Sequence, residues 1–304
     1  MSQTKHEILS LLAGAGTEPR HRFGQNFMID QNLVRIVADA GRIEPGDLVI
    51  EVGPGTGTLT EELLARVAPG GRVVAVEIDR DLAGLLRTRF AGRDDFTLIE
   101  GDALAGKHHL NPELLSMVEG NRGVKLVANL PYNIASPLVI ELLMADVGLL
   151  AFTVQKEVAD RLRAPAGSDD YGPLSVMAQL LAQVQVLRTL PPQAFWPAPK
   201  IESALVCLTR EDRLGPAANS FSVFVHQLFS FRRKTLRKAL AQAGYDAQAL
   251  LAFTGFDGQL RPEAFTPEQL LLLYSAGRQD LPPSRAMIEG SSSTAISSSS
   301  ASKK

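Results

Sequence analysis

The stretch VIEVGPGTGTLTEELL, residues 49–64, decides the fold because it joins a predicted strand to a predicted helix through three glycines. The apolar run before the glycines is typical of a buried strand, and the apolar spacing after them indicates a helix. Glycine is needed at such a turn because the backbone takes a positive φ and a ligand must approach it closely. Gly53, Gly55 and Gly57 therefore predict a binding loop after the first strand of an α/β sheet.

Apolar runs of strand length alternate with helical patterns from about residue 30 to 210. Such alternation predicts βαβ units and a mainly parallel sheet with helices on both faces. Seven segments are predicted as strands: DLVIEV, RVVAVEI, FTLIE, KLVANL, LLAFTVQ, QVQVLRTL and SALVCLT. The last two are joined without a helix, so we expect an antiparallel pair at the sheet edge. The predicted fold class is α/β, with a Rossmann-like seven-stranded sheet.

The pattern changes after residue 210, where EDRLGPAANS indicates a linker. Only helix-length patterns follow it, so residues 211–281 are predicted to form a small all-helical domain after a first domain of residues 1–210. Residues 282–304 are rich in serine and poor in apolar residues. Such a segment cannot bury enough surface to fold, and a disordered tail is predicted.

Composition excludes several classes of protein. The single cysteine, Cys207, excludes an internal disulfide framework and a multi-cysteine zinc site, and its apolar neighbours predict a buried thiol. No third metal ligand is spaced near His108 and His109, so we interpret both as loop residues and expect no metal. No run of 18 apolar residues and no leader pattern occur, so a cytoplasmic protein without membrane contact is expected.

Carboxylates follow the next two predicted strands. Glu77 ends a strand about 20 residues beyond the last glycine, and Asp102 follows FTLIE in IEGDAL. In this topology the first carboxylate accepts hydrogen bonds from the two hydroxyls of a ribose. Asp102 can accept from the exocyclic amine of an adenine ring, with the Ala103 backbone alongside. The alternative for either carboxylate alone is a helix N-cap or a solvated loop charge.

The spacing of the glycine loop narrows the class of ligand. E-x-G-x-G-x-G differs from the G-x-G-x-x-G of dinucleotide loops, and no Lys-Ser/Thr follows, as a phosphate loop requires. The glycine loop, both carboxylates and the polar NLPY segment all follow strand ends, where open α/β sheets collect ligands. A ligand with an adenosine and no phosphates indicates S-adenosylmethionine, and a nicotinamide-dependent dehydrogenase is the least favoured alternative.

Seven segments carry a resemblance to a known family. They are HRFGQNFMID, EVGPGTGTLT, VEIDRDL, GDAL, NLPYNIASP, FWPAPKIESA and FSFRRKTLRKAL, in that order over residues 21–240. Together they resemble the class I S-adenosylmethionine-dependent methyltransferases, and more narrowly the rRNA adenine N6,N6-dimethyltransferases. They look most like the bacterial small-subunit enzymes. The resemblance implies methylation of two adjacent adenosines near the 3′ end of that rRNA within an immature 30S particle, and we expect a monomer.

The resemblance also implies which residues bind the cofactor. Gly53 would meet its methionine part, Glu77 its ribose and Asp102 its adenine amine. Asn129 would lie at the methyl end, and Met28 stands where the bacterial enzymes usually have leucine. The full implied set is Asn26, Met28, Gly53, Gly55, Glu77, Asp102, Ala103 and Asn129.

The segment KLVANLPYNIASP begins as a strand and ends in an amide, a proline and an aromatic ring. An adenine amine is a poor nucleophile because its lone pair is delocalised into the ring. The Asn129 side-chain carbonyl and the Leu130 backbone carbonyl can each accept one N–H of that amine. Pro131 fixes φ where the chain leaves the strand, and Tyr132 offers a flat face to the base. Phe195 is the candidate for the opposite face, with core packing as its alternative.

A net charge of −2 gives no global attraction to nucleic acid, so an RNA partner needs a local basic patch. The segment FRRKTLRKAL supplies one on a predicted helix, where positions four apart share a face. Leu236 and Leu240 would dock the other side, and Arg20, His21 and Arg22 are expected to extend the patch. The alternative is a merely solvated helix face. The predicted RNA-binding residues are Arg232, Arg233, Lys234, Arg237 and Lys238.

The favoured function is therefore that of a small-subunit rRNA adenine dimethyltransferase. One alternative is an adenine-N6 methyltransferase of large-subunit rRNA or DNA. Another is a non-catalytic RNA-binding assembly factor of the same fold, against which the intact NLPY and glycine segments argue.

Overall fold

The computed structural model describes residues 4–20, 23–106 and 109–278, and its centre is a twisted sheet covered by helices. Within these residues the strands are β1 (Phe27–Met28), β2 (Leu48–Val52), β3 (Arg72–Glu77), β4 (Phe96–Glu100), β5 (Lys125–Asn129), β6 (Leu149–Gln155), β7 (Ala182–Leu190), β8 (Phe195–Trp196) and β9 (Ser203–Arg210). The helices are α1 (Lys5–Gly14), α2 (Gln31–Ala40), α3 (Thr58–Val67), α4 (Arg80–Arg89), α5 (Pro112–Val118), α6 (Ala135–Met144), α7 (Lys156–Leu162), α8 (Pro173–Leu181), α9 (Ala218–Ser230), α10 (Leu236–Gln242), α11 (Ala247–Thr254) and α12 (Pro267–Gly277).

Seven of the strands form one sheet in the order β4-β3-β2-β5-β6-β9-β7, and the short β1 and β8 pair separately. The five strands from β4 to β6 in that order run parallel. Strand β9 runs antiparallel to both β6 and β7. The seven predicted strands and the antiparallel pair at the sheet edge are confirmed. From β2 the chain builds outward to β3 and β4 on one side and then returns to place β5 on the other side of β2. The strand order therefore reverses between β2 and β5, which is where such sheets bind ligands.

Alternate residues along the strands enter cores on opposite faces of the sheet, as a side-chain period of two requires. In β2, Ile50 belongs to the core that also contains Leu114 and Leu138, from α5 and α6. Its neighbour Val49 belongs to the other core, with Val34 of α2 and Leu63 of α3. Both strand residues are 0% exposed. Burial on both faces explains why the strands are nearly continuous apolar runs.

The polar segment 105–123 contains the crossover helix between β4 and β5. Its described part includes α5, whose Leu114 and Val118 are buried against the sheet. Asn111 caps this helix by accepting from the Glu113 amide at 2.9 Å. His109 is exposed and its carbonyl accepts from the Ala105 amide in a loop, which confirms the loop assignment for this residue. His108 lies outside the described residues.

Helices α9 and α12 pack on α8, and the four helices α9 to α12 pack on one another. Apolar residues such as Phe224 and Leu270 belong to the same contiguous core as α8 and the sheet. The sequence after residue 218 is all-helical as far as residue 278, apart from short turns. The division into domains at residue 211 stays a prediction, and the predicted tail lies outside the described residues.

Cys207 was predicted to be a buried thiol. Cys207 is a free thiol, 2% exposed on β9, which confirms the predicted core position. Burial raises the pKa of this thiol, so it is not an activated nucleophile.

Across the described ranges, we find no helix with the length and apolar character that crossing a membrane requires.

Candidate active site

An open cleft of about 910 Å³, including solvent at its mouth, lies at the carboxyl ends of β4, β3, β2 and β5. The cleft is lined by all eight residues that were predicted to bind the cofactor: Asn26, Met28, Gly53, Gly55, Glu77, Asp102, Ala103 and Asn129. The parallel sheet brings them together because consecutive parallel strands end at one edge.

The glycine loop crosses the floor of this cleft with a left-handed backbone. Gly53 has φ of 73° and Gly55 has φ of 61°, values that side chains disfavour. A Cβ on Gly53 would lie 3.0 Å from Cγ of Pro131, and one on Gly55 would lie 2.9 Å from Cε1 of Phe27. Glycine is thus required at both positions by backbone conformation and by space. The first contact also places the loop directly against the NLPY segment.

Glu77 is buried at the end of β3 and faces the cleft. Its Oε2 accepts from the Gly55 amide at 3.1 Å, and its Oε1 accepts from the Asp79 amide at 2.9 Å. Burial is the main cause that raises the pKa of Glu77 to about 7, and the charge of Asp79 adds to it. The carboxylate is therefore aimed and held by backbone groups, with further lone pairs available to hydroxyls in the cleft.

Glu51 is a site residue that the sequence interpretation missed. It lies on β2 directly before the glycine loop, is 1% exposed and lines the cleft. Its Oε2 accepts from the Thr60 hydroxyl at 2.6 Å. Burial raises the pKa of Glu51 to about 8, and the nearby charge of Glu77 acts in the same direction. The signal in the sequence was a carboxylate within the apolar strand LVIEV.

The buried carboxyl of Glu51 is expected to make the folded protein less stable as pH rises. Its pKa is about 8 when folded and 4.5 in the unfolded reference, so between these values the folded state binds the extra proton. The free energy of unfolding then falls with rising pH, by up to about 1.4 kcal/mol per pH unit for one such group. Glu51→Gln should flatten this slope between pH 5 and 8, as measured by urea unfolding without added cofactor.

The matched control for that measurement is Glu119→Gln, because Glu119 is exposed and its replacement should leave the slope unchanged. In the Glu51→Gln variant the new side-chain carbonyl can still accept from the Thr60 hydroxyl, so the packing is kept. If the free energy of unfolding of Glu51→Gln fell with pH as steeply as that of the wild type, the raised pKa of Glu51 would be contradicted.

Asp102 and Ala103 follow β4 at the far side of the cleft. Oδ1 of Asp102 accepts from the Leu104 amide at 3.0 Å, while Asp102 itself is exposed at the cleft wall. Ala103 is 2% exposed and its carbonyl accepts from the Asn111 amide. One carboxylate oxygen of Asp102 thus fixes the loop, and the second oxygen can accept from a ligand amine.

The N-terminal segment covers one side of the cleft. Strand β1 pairs with β8, which places Met28 opposite Phe195. The Asn26 carbonyl accepts from Nδ2 of Asn129 at 2.6 Å. The predicted role of Arg20 in a basic patch is wrong: its guanidinium contacts Asp79 at 2.9 Å and also pairs with Asp81. Both carboxylates neutralise the cation, and His21 and Arg22 lie outside the described residues.

The NLPY segment ends β5 beside the glycine loop. Oδ1 of Asn129 accepts from the Thr153 hydroxyl. Leu130 is 1% exposed, and within the described residues no group donates to its carbonyl. The Tyr132 hydroxyl is 2.6 Å from Oγ of Ser203, and burial raises the pKa of Tyr132, so the phenol stays neutral. Of the four predicted NLPY residues, Asn129 and Pro131 line the cleft, whereas Leu130 and Tyr132 are not among its lining residues, and the predicted roles of all four stay predictions.

Phe195 and Trp196 form β8, beside the cleft. Phe195 is 1% exposed and belongs to the core with Met28. It presents no open face to a base in this structure, so stacking would need its ring to move, and that role stays a prediction. Trp196 is half-buried and stacks on Phe27, with ring centroids 6.4 Å apart. This ring contact makes Trp196 a packing residue beside the cleft.

Residues 16–276 match the family described as Ribosomal RNA adenine dimethylase. The chain belongs to this family. Among its curated relatives, the Ribosomal RNA small subunit methyltransferase A of Moorella thermoacetica is 38% identical over 88% of this chain and 95% of that relative. The protein of the same name from Magnetococcus marinus is 43% identical over 88% and 94%.

Two solved structures share the fold of this dimethylase chain. The crystal structure of 23S rRNA methyltransferase ErmE is 26% identical, with a TM-score of 0.59, over 83% of this chain and 99% of that one. A dimethyladenosine transferase from Plasmodium falciparum is 21% identical, with a TM-score of 0.62, over 81% and 95%. The α/β sheet with its helical covering is therefore the fold of the dimethylase family.

The basic run of this dimethylase chain does not form one helix, and that prediction is wrong. Helix α9 ends at Ser230, and Thr235 has an extended backbone as the N-cap of α10. The Leu236 amide bonds to the Leu260 carbonyl at 2.6 Å instead of continuing a helix. All five predicted cations are exposed, three in the turn and two on α10: Arg232, Arg233, Lys234, Arg237 and Lys238. Leu236 and Leu240 are buried below them, as expected.

The cleft fits the cofactor that this family of methyltransferases uses. The glycine loop leaves the space that a Cβ would fill, as the short contacts of Gly53 and Gly55 show. Glu77 holds a carboxylate at the position suited to ribose hydroxyls, and Asp102 offers an oxygen suited to an amine. S-adenosylmethionine is therefore the cofactor of this member of the family.

Proposed function

We propose that the chain transfers methyl groups from S-adenosylmethionine to the N6 amines of two adjacent adenosines near the 3′ end of small-subunit rRNA. The product is N6,N6-dimethyladenosine. Support comes from relatives at 38–43% identity that carry the name Ribosomal RNA small subunit methyltransferase A and match most of both chains. The proposal includes action as a monomer, in the cytoplasm, on an immature 30S particle during ribosome assembly.

One observation carries the proposed chemistry: the glycine loop and the NLPY segment are in contact. Gly53 approaches Pro131 so closely that a Cβ would lie 3.0 Å from its ring. A cofactor on the loop therefore lies next to the Asn129 side chain, which lines the same cleft. Donor and acceptor groups positioned in this way react faster because binding has already removed the translational and rotational freedom that they would otherwise lose in the transition state.

The acceptor groups of the chain act by orienting an adenine amine. S-adenosylmethionine, when bound, supplies a methyl group activated by a positive sulfonium. The carbonyls of Asn129 and Leu130 each accept one N–H, which turns the nitrogen lone pair toward the cofactor side of the cleft. Pro131 sets the exit angle of the chain, and Tyr132 supports the base, with its hydroxyl held by Ser203. No strong base is needed because the amine proton is acidic once the nitrogen is methylated.

An adenine inside a helix cannot reach this cleft, so the target must be single-stranded or flipped out. The chain can hold such an RNA through the exposed cations that follow α9. Within the described residues, Arg232, Arg233 and Lys234 have no carboxylate partner. Cations without partners are free to neutralise phosphates and release their counterions. We therefore assign the rRNA contact to this basic turn and the start of α10.

Replacing Arg232 and Arg233 together by alanine is expected to weaken binding to small-subunit rRNA. Each lost phosphate contact should reduce the slope of log K against log salt by about 0.7–0.9. Filter binding over a range of salt concentrations measures both quantities. The matched control is the double variant Arg72→Ala/Arg122→Ala, because both arginines are exposed at the amino ends of strands, opposite the cleft. Equal slopes for the two double variants would contradict the assignment.

The proposed substrate is tested by offering several nucleic acids with labelled S-adenosylmethionine. Immature small subunits, mature small subunits, naked small-subunit rRNA, large-subunit rRNA and duplex DNA should be compared at equal concentration. We expect label in immature small subunits above all others. Label confined to large-subunit rRNA or DNA would replace the proposal with that alternative, and binding of particles without any label would favour a non-catalytic assembly factor.

A further inference from the structure

Thr153 is a buried residue of β6 that contacts the acceptor groups directly. It is 0% exposed, and the strand register places it opposite Asn129 of β5. Its hydroxyl donates to Oδ1 of Asn129. Its backbone carbonyl accepts from the Leu130 amide at 3.3 Å. One residue therefore contacts both of the residues whose carbonyls orient the amine.

The direction of these hydrogen bonds fixes the orientation of the Asn129 amide. Oδ1 carries no hydrogen, so the Thr153 hydroxyl must be the donor. At the other end, Nδ2 donates to the Asn26 carbonyl at 2.6 Å. A flipped amide would bring Oδ1 against that carbonyl, where two acceptors would face each other. The amide is thus held at both ends, with Thr153 as the group that holds its carbonyl.

Thr153 also sets how many N–H groups Asn129 can accept. A carbonyl oxygen has two acceptor positions, and the Thr153 hydroxyl takes one of them. One position remains for the adenine amine. The second N–H then goes to the Leu130 carbonyl, to which no other group donates within the described residues. Each of the two carbonyls therefore has an acceptor position available for one N–H of an unmethylated amine.

The two successive methyl transfers depend differently on this arrangement. Each transfer forms one N–CH₃ bond as the S–CH₃ bond of S-adenosylmethionine breaks, the demethylated thioether leaves, and the displaced N–H proton goes to solvent. The first transfer starts from an amine held by two hydrogen bonds. The second starts from a monomethylated amine that has only one N–H left. A displaced Asn129 carbonyl would therefore impair the second transfer more than the first.

We propose that Thr153 is a positioning residue that fixes the Asn129 carbonyl for both methyl transfers, and most of all for the second. This inference rests on the proposed function, since it needs an adenine amine as acceptor. It assigns no contact between Thr153 and the substrate. Within the strand LLAFTVQ, threonine is the one polar residue before the terminal glutamine, and the structure explains its presence by this hydrogen bond.

The test compares three single substitutions, of which the two Thr→Val changes keep the shape of the side chain. Thr153→Val removes the hydroxyl, Thr153→Ser keeps it, and Thr97→Val makes the same change on β4, where Thr97 is half-buried. Steady-state methylation of immature small subunits gives kcat, and calorimetry gives the affinity for S-adenosylmethionine. Mass spectrometry of the digested rRNA gives the ratio of monomethyl to dimethyl adenosine at equal total methyl incorporation.

Thr153→Val is expected to lower kcat by about 10- to 100-fold, as for a misplaced orienting group, and to accumulate N6-monomethyladenosine. Cofactor affinity should be unchanged. Thr153→Ser should restore kcat to within about threefold and restore the wild-type product ratio, and Thr97→Val should match the wild type. A loss of folded protein alone would lower total methylation without changing the ratio.

The outcomes separate this inference from the function on which it rests. If the wild type methylates adenosine N6 and Thr153→Val matches it in kcat and product ratio, only the role of Thr153 is overturned. The same holds if Thr153→Ser is as impaired as Thr153→Val, because the hydroxyl would then not be the cause. If the wild type itself places no methyl on N6, the proposed function and the inference fall together.

Discussion

Replacing Asn129 with alanine is expected to lower the rate of methyl transfer by about 10²- to 10³-fold, the usual effect of removing one preorganised polar group from a reacting centre. The side-chain carbonyl that orients the amine is lost. Affinity for S-adenosylmethionine should change by less than about tenfold, or 1.4 kcal/mol, because the glycine loop, Glu77 and Asp102 are untouched. Single-turnover methylation measures the rate, and calorimetry measures the affinity.

The matched control is Asn32→Ala, because Asn32 is an exposed asparagine in the first turn of α2. This variant should match the wild type in rate and affinity. If Asn129→Ala retained more than about a tenth of the wild-type rate, the amide would not be the orienting group, and the Leu130 carbonyl alone would have to suffice.

Replacing Gly53 with alanine is expected to reduce affinity for S-adenosylmethionine by about 10²-fold or more. A left-handed backbone costs a residue with a Cβ roughly 1–2 kcal/mol, or about 5- to 30-fold by itself. The new methyl group would also lie 3.0 Å from Cγ of Pro131, where it would displace the NLPY segment and occupy the cofactor path. Calorimetric titration with the cofactor and with its demethylated product measures the loss.

Gly84→Ala provides the control for this substitution. Gly84 lies within α4, and a Cβ there would meet nothing within 4 Å. Alanine in a helix should leave cofactor binding unchanged and raise stability by up to about 1 kcal/mol. The unfolding temperatures of both variants without cofactor show whether a lost affinity comes from the changed cleft or from a destabilised fold. A folded Gly53→Ala protein with wild-type affinity would contradict the proposed cofactor path.

The meeting of the predicted cofactor residues in one cleft could be predicted from the sequence because each of them lies at or just after the end of a predicted strand. Glu77 ends a strand, while Gly53 and Asp102 follow strands, and strand ends in a parallel sheet converge on one edge. Apolar runs with period two or continuous burial identified the seven strands of the sheet. The prediction needed no knowledge of distances, since the topology itself brings these residues to one cleft.

The residues that the sequence did not reveal depend on contacts between distant segments. Between α9 and α10 the Leu260 carbonyl accepts a hydrogen bond from the Leu236 amide. A partner so far along the chain cannot be seen from helical spacing. Arg20 was expected in a basic patch, but Asp79 and Asp81 neutralise it from the start of α4.

The sequence also could not show which residues are buried, or which contact one another, through strand pairing. The depth of Phe195 follows from the pairing of β8 with β1, two strands of two residues each that no periodicity reveals. Thr153 contacts Asn129 only because β6 lies beside β5 in a particular register. A threonine in an apolar strand is visible in the sequence, while its partner is a property of the folded sheet.

The central claim is that the chain directs a methyl group to the N6 nitrogen of adenine in small-subunit rRNA. Incubating immature small subunits with the protein and methyl-deuterated S-adenosylmethionine, followed by complete nuclease digestion and mass spectrometry against nucleoside standards, tests it most directly. We predict that the deuterium is recovered as N6,N6-dimethyladenosine. Recovery of the label in a ring-methylated adenosine, a ribose-methylated nucleoside or no nucleoside would contradict the claim.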